Sequence, residues 1–368
     1  MTRSNPMRQS LSTILLLAML LVPALAHARR IRVVHGSIQA AVDAARPGDT
    51  IVVPPGLYHE TVLVDKDDLT IRGSPAAILD ATSFRNGIRV GGSPSNGGGD
   101  GQPMCPPIAV TNFTLRGLTI RNAEVNGVFL IGVDGFHLTH SHYIDNGEYG
   151  PFPVCSKNGL IAFNVATGHN DAAIYVGDDD NVVVRHNHVT RSAIGVEVEN
   201  STNTVVQSNW LEGNTAGILV IVLPGLPMPF TRGVAIKHNV VLHNNFPNPI
   251  PADSGDPVGL LPTGTGILNI GGDDVVIHKN VVLGNDTVGI AIVENFFAAL
   301  DPRIEPFPDN NAVRANVVLG NGQHPDPERA ITPGADIVYD ASGVSNCFER
   351  NVFLTQFPED ITAGFPCP

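Results

Sequence analysis

From residue 126 onward the chain is written as short apolar runs, each opened by a small residue and closed by a polar corner. Gly127, Gly150, Ala173, Gly195 and Gly217 open successive runs at intervals of 23, 23, 22 and 22 residues, and the register returns at Gly266 and Gly289. A second column follows the first: Asn164, Asn187, Asn209 and Asn280 each lie 14 residues after an opening residue. Asn239, Asn316 and Asn351 repeat the same local motif beyond longer loops. Each period holds two or three Val- and Ile-rich runs broken by Gly, Asn, Asp and Ser, with no competing helical periodicity. Strands this short cannot bury an apolar face alone, but rungs coiled into a solenoid stack their inward side chains while the backbones pair along the axis. The pattern predicts an all-β chain: a single-stranded, right-handed parallel β-helix with regular rungs over about 108–321. A β-propeller would need a period near 40. Asparagine suits both a left-handed corner and an amide ladder running up the stack.

The stretch "SIQAAVDAARPGDTIVVPPGLYHE", residues 37–60, resembles the opening of right-handed β-helix proteins of the pectin-lyase-like superfamily, where a short amphipathic helix caps the core. The repeats resemble those of β-helix families that include carbohydrate-binding proteins, sugar hydrolases, alginate epimerases and a periplasmic copper-processing protein of nitrous oxide reduction. The resemblance implies the fold across nearly the whole mature chain. The Asp-Pro-His-Asp motif of the epimerases, the Trp-x-Asp-His of pectate lyases and the Asn-Thr-Asp and Gly-His-Gly of polygalacturonases are absent, so it carries over no catalytic residue.

Alternation along a strand sends neighbouring side chains to opposite faces. Counted from the opening residue, one outward column reads Phe129, Phe152, Tyr175, Glu197, Leu219, Leu268 and Ala291. The next reads Ile131, Val154, Gly177, Glu199, Ile221, Ile270 and Val293. An outer sheet face this apolar calls for a cover. Three insertions rich in Pro and apolar residues, 222–233, 245–265 and 294–311, are placed to fold over it and wall a groove.

Into this groove the register directs a polar cluster. His169, Tyr175, Arg191 and Glu197 are the expected catalytic residues, and Glu148, Tyr149, Asp171, Glu199, Phe129 and Phe152 the expected substrate contacts. Arg191 is expected to stack on His169, and Asp171 on Glu148. In a uronan lyase or C5-epimerase, Arg191 would neutralise the uronate, His169 would abstract the C5 proton and Tyr175 would protonate the leaving oxygen. Alternatively, Glu197 with Glu199 or Asp171 forms the carboxyl pair of a hydrolase. The lyase or epimerase reading is the leading expectation. Its rivals are a non-catalytic protein holding a glycan or other ligand and a periplasmic accessory protein of metalloenzyme maturation.

Residues 1–28, with Arg3, Arg8, an apolar run and Ala26-His27-Ala28, read as a signal peptide, with the β-helix domain over 29–368. Losing Arg3 and Arg8 takes the formal charge from −13 to −15. That balance disfavours a nucleic-acid partner. It also sets the chain against an anionic polymer unless calcium or local arginines intervene. A polysaccharide or oligosaccharide partner, a monomeric state, no membrane span and a periplasmic or secreted location are expected. Calcium is the one cofactor considered, at 177–180 ("GDDD") and 271–274 ("GGDD"). The histidines of "HLTHSH" and "RHNH" lack the Cys or Met support of a copper or zinc site, so no metal ligand is assigned. Four cysteines in an exported chain suggest two disulfides; proximity favours Cys105 with Cys155 and Cys347 with Cys367.

Overall fold

The computed structural model describes residues 30–92, 104–330 and 333–368. The expected signal peptide and nearly all of the Gly-rich stretch 92–103 lie outside the described residues. The rest is a parallel β-helix. Each coil contributes one strand to each of three sheets, which hold 12, 11 and 10 strands among the described residues. One coil runs Asn126–Ile131, Val133–Thr139, His142–Ile144; the next begins at Tyr149–Val154, directly in register. Paired strands continue past 108–321 in both directions, from Ile31–Val33 to Gln356–Phe357.

The interior is a stack of aliphatic columns. Ile174, Val196, Ile218, Ile267, Ile290 and Ile337 follow one another on successive rungs, and all are fully buried. At the N-terminal end the helix Ile38–Ala44 closes the stack with Ile38 and Val42. Ser37 caps this helix, accepting from the Ala40 amide, and Glu60 accepts from the Ile38 and Gln39 amides. The cap therefore satisfies amide donors that a helix start leaves open. Disulfides join Cys105 to Cys155 and Cys347 to Cys367, as proximity suggested. They fit an oxidising compartment.

The asparagine column is a continuous ladder. The side-chain amide of Asn164 donates to Oδ1 of Asn187 at 3.0 Å, and Asn187 repeats the bond to Asn209, with Asn239, Asn280, Asn316 and Asn351 following. The asparagines do not themselves take the left-handed corner. The residue before each one does: Phe163, His186, Ser208, His238, Lys279, Ala315 and Arg350 have φ between 53° and 59°. That turn points the asparagine inward, where its amide meets the next rung.

The first ladder occupies the corner between the 12- and 10-stranded sheets; a second, which the sequence reading missed, occupies the corner between the 10- and 11-stranded sheets. It runs Asn146, His169, Ser192, Asn214, Asn244, Asn285, Asn321, Asp336. The opening small residues sit beside it for a steric reason. A Cβ on Gly217 would approach the Gly266 carbonyl oxygen at 2.7 Å and the Asn244 amide nitrogen at 3.2 Å.

Candidate active-site groove

The 11-stranded sheet forms the floor of the groove. Tyr175, Glu197, Leu219, Leu268 and Ala291 stand in one column, and Gly177, Glu199, Ile221, Ile270 and Val293 in the next. A third outward column, Tyr149, Ala172, Ile194, Ala216, Thr265 and Val288, completes the floor; apart from Tyr149, the sequence reading did not assign it to this face. The three insertions form the roof, bringing Leu223, Ile250, Val258, Leu261 and Phe297 down onto the floor aliphatics. They are fastened to one another and to the helix. Asn295 donates to the Val222 carbonyl at 2.7 Å, Arg303 to the Leu226 carbonyl at 2.9 Å, and Arg329 to the Gly259 carbonyl at 2.9 Å. Floor and roof enclose a cavity of about 970 Å³.

At its N-terminal end the floor is aromatic and acidic. Tyr149 stacks on Phe152 at 4.1 Å between centroids, Phe152 lies 4.5 Å from Tyr175, and Phe129 extends the stack one rung further. Phe129 and Phe152 do not line the cavity themselves; they buttress the two tyrosines that do. Each tyrosine serves a carboxyl group on the next rung. Tyr149 donates to Oδ2 of Asp171 at 2.6 Å, and Tyr175 to Oε1 of Glu199 at 2.8 Å.

Glu197 is different. It is 4% exposed, lines the cavity, and has no hydrogen-bond or ion-pair partner among the described residues. A charged carboxylate in that position would be costly. Burial, reinforced by the Asp171, Glu199 and Asp256 carboxylates, holds its pKa well above the usual carboxylate range. Glu199 is 7% exposed, and burial pushes it up to about 8 against the opposing Tyr175 hydrogen bond. Asp171 is raised to about 7, first by burial and then by Asp256 and Glu148, against its Tyr149 bond. Its Oδ1 is buried without a partner. Burial and the same carboxylates raise both tyrosines well above their ordinary value. Tyr175 is therefore a donor held on Glu199.

Asp256 was not foreseen from the sequence. It caps the 3₁₀ turn Pro257–Leu260 by accepting from the Val258 amide at 2.9 Å, and so hangs from the roof opposite Asp171 and Glu197. Its signal was present in "PADSGDPVG", an Asp-Pro helix start inside a roof insertion.

Two expected catalytic residues lie elsewhere. His169 is 1% exposed and belongs to the second ladder, its ring nitrogens facing Asn146 at 3.4 Å and Ser192 at 3.3 Å. Burial lowers its pKa to about 3 and keeps it neutral. Arg191 stacks with Gly168, not His169, and reaches across it to Asp145 at 3.6 Å on an exposed corner. The reason is local. Two residues separate His169 from Ala172, but one separates Ser192 from Ile194, so the 22-residue rung loses its residue at that corner and everything before it shifts by one. Glu148 lies at the exposed rim.

Among the described residues Arg329 is the single cation lining the cavity, and it is already bonded to Asp326, Glu328 and Gly259. No group of three or more His, Cys, Asp or Glu suited to a metal ion occurs among the described residues. In the "GDDD" turn, Asp178 accepts from the Met228 amide, Asp179 from the Ser156 amide and Asp180 from Thr202 and Asn203. No helix among the described residues is long and apolar enough to cross a membrane.

A family profile for a right-handed β-helix region matches residues 85–226. The A-module of the mannuronan C-5 epimerase AlgE4 from Azotobacter vinelandii is structurally similar, with a TM-score of 0.54 and 15% identity over 86% of this chain and 90% of that one. A DFA-IIIase variant from Arthrobacter chlorophenolicus A6 in complex with DFA-III has a TM-score of 0.56 and 15% identity over 86% and 78%. An alginate lyase from Paenibacillus sp. str. FPU-7 has a TM-score of 0.50 and 13% identity over 89% and 96%. These neighbours share the fold and are carbohydrate-active enzymes. No curated protein is significantly similar in sequence.

Proposed function

We propose that this chain, a right-handed parallel β-helix, is an exported enzyme that cleaves a glycosidic bond of an uncharged sugar by carboxyl acid–base catalysis. The observation that carries this is Glu197: an unpartnered carboxyl group with a strongly raised pKa, buried in a roofed groove beside a second carboxyl group, Asp171. Asp171 differs from it in accepting a hydrogen bond from Tyr149, and that difference in environment assigns the roles. Glu197 donates its proton to the departing glycosidic oxygen. Asp171, held by the Tyr149 hydroxyl, serves as base toward water or as nucleophile. Tyr175 and Glu199 hold the sugar hydroxyls, and Asp256 faces them from above.

The same geometry moves the weight away from uronan lyase or epimerase chemistry. That reaction needs a cation over the substrate carboxylate and a base near C5. The residues expected to supply them, Arg191 and His169, are outside the groove. A uronate would instead meet the acidic side chains of Asp171, Asp256 and Glu148, with no unpaired arginine among the described residues that line the cavity, and like charges repel. The test is a reducing-end assay on neutral oligosaccharides alongside an ultraviolet assay for unsaturated products on uronans, with and without calcium. Reducing ends from a neutral glycan, lost in Glu197→Gln, support the reading. Unsaturated products from a uronan overturn it, and binding without turnover in every arm returns the chain to the non-catalytic class.

A further inference from the structure

The groove changes character along its length. Beyond Glu197 the floor is Leu219, Leu268 and Ala291 with Ile221, Ile270 and Val293 beside them, a run of three rung spacings or about 14 Å. The roof above it is equally aliphatic, through Leu223, Val258 and Leu261. This half shares one cavity with the carboxyl end. A sugar ring laid across these aliphatic columns would bury several hydroxyls against hydrocarbon, since the Thr265 and Thr287 hydroxyls beside them already donate to the Pro262 and Thr263 carbonyls, whereas hydrocarbon gains from every methylene removed from water. A second sugar subsite is therefore the wrong occupant.

Charge narrows the choice further. The head of any ligand must pass the acidic side chains of Glu148 and Asp256 and sit beside Asp171, which disfavours a fatty acid or a phospholipid headgroup. We infer that the groove takes an amphiphilic glycoside: an uncharged sugar between Tyr149 and Glu199, its scissile oxygen at Glu197, and the attached alkyl or acyl chain running over Leu219, Leu268 and Ala291. This rests on the glycosidase reading for the position of the sugar, and it specifies the leaving group as the apolar part.

Binding is measured by calorimetry on the full chain carrying Glu197→Gln, so that turnover plays no part, with methyl, hexyl and octyl glucosides and mannosides below their micellar concentrations. Each buried methylene raises affinity about three- to fourfold, so octyl should exceed methyl by at least 100-fold in one sugar series. Leu268→Asn should reduce that ratio at least tenfold. Because this variant puts a polar group into a packed face, the chain-length series on the parent background decides the question by itself. A series that is flat for both sugars overturns the inference, and so does octanoate binding as tightly as the octyl glycoside. A steep series together with no cleavage of octyl glycosides by the unsubstituted protein sustains the amphiphilic ligand and sinks the glycosidase reading. A flat series with cleavage of neutral oligosaccharides does the reverse.

Discussion

Tyr175 and Glu199 stand one rung apart on the groove floor, and the phenol donates to Oε1 of the glutamate at 2.8 Å. The bond satisfies one oxygen of an acid that burial holds at about 8, and it is the influence that pulls this pKa down. Tyr175→Phe removes it. The ionisation of Glu199 should then move to still higher pH in a carbon-13 NMR titration of labelled glutamate, and an unmoved titration would mean the contact is absent in solution.

The raised carboxyl groups tie stability to pH. Glu199 and Asp171 bind protons more tightly in the folded chain, at about 8 and about 7, than their ordinary values of 4.5 and 3.8. Their contribution is complete below about pH 4 and is lost as pH rises through 7 and 8, by up to roughly 1.4 kcal/mol per pH unit for each group. The urea midpoint should therefore fall between pH 5 and pH 8. Glu199→Gln should flatten that fall, and an identical pH dependence in the variant would refute the assignment.

Glu197→Gln keeps the shape of the side chain and removes its transferable proton. Turnover should drop by 10² to 10⁴, the range of a general acid. The midpoint of unfolding should stay within about 0.5 kcal/mol of the parent value or rise, since no partner is lost. A variant that is active but unstable would point to a structural role instead.

His169 and Arg191 offer the opposite contrast. His169→Ala interrupts the second ladder at Asn146 and Ser192 and should cost about 1–3 kcal/mol in denaturant melts, while His169→Asn, which restores the residue type of that column, should recover most of it. Arg191→Ala removes an exposed pair and should cost less than about 1 kcal/mol. Neither residue should alter the pH profile of catalysis.

The roof depends on a clasp. Arg303 bonds Asp301 at 2.7 Å and the Leu226 carbonyl at 2.9 Å, while Asp301 accepts from the Gly225 amide at 3.0 Å. Arg303→Ala should speed amide exchange across 222–233 at least tenfold and raise KM more than it lowers kcat. Exchange confined to 294–311 would show that the two insertions are held independently.

The amino-acid sequence by itself determined the repeat, and through it the coil, the inward aliphatic columns, the asparagine ladder and the two outward columns carrying Tyr175, Glu197 and Glu199. Period-2 alternation and a 22- or 23-residue rung leave a strand residue one choice of face and one neighbour above and below. Corners carry no such constraint. A rung shorter by one residue can lose it anywhere in the turn, so whether His169 met Arg191 or Ser192, and hence whether an imidazole or a carboxyl group served the groove, was decided by packing of the ladder. The insertions were legible as a cover, but the placing of Asp256 in the same cavity as Asp171 and Glu197, within electrostatic reach of both, was not. That proximity joins residues with no common register, and only the folded roof sets the distance between them.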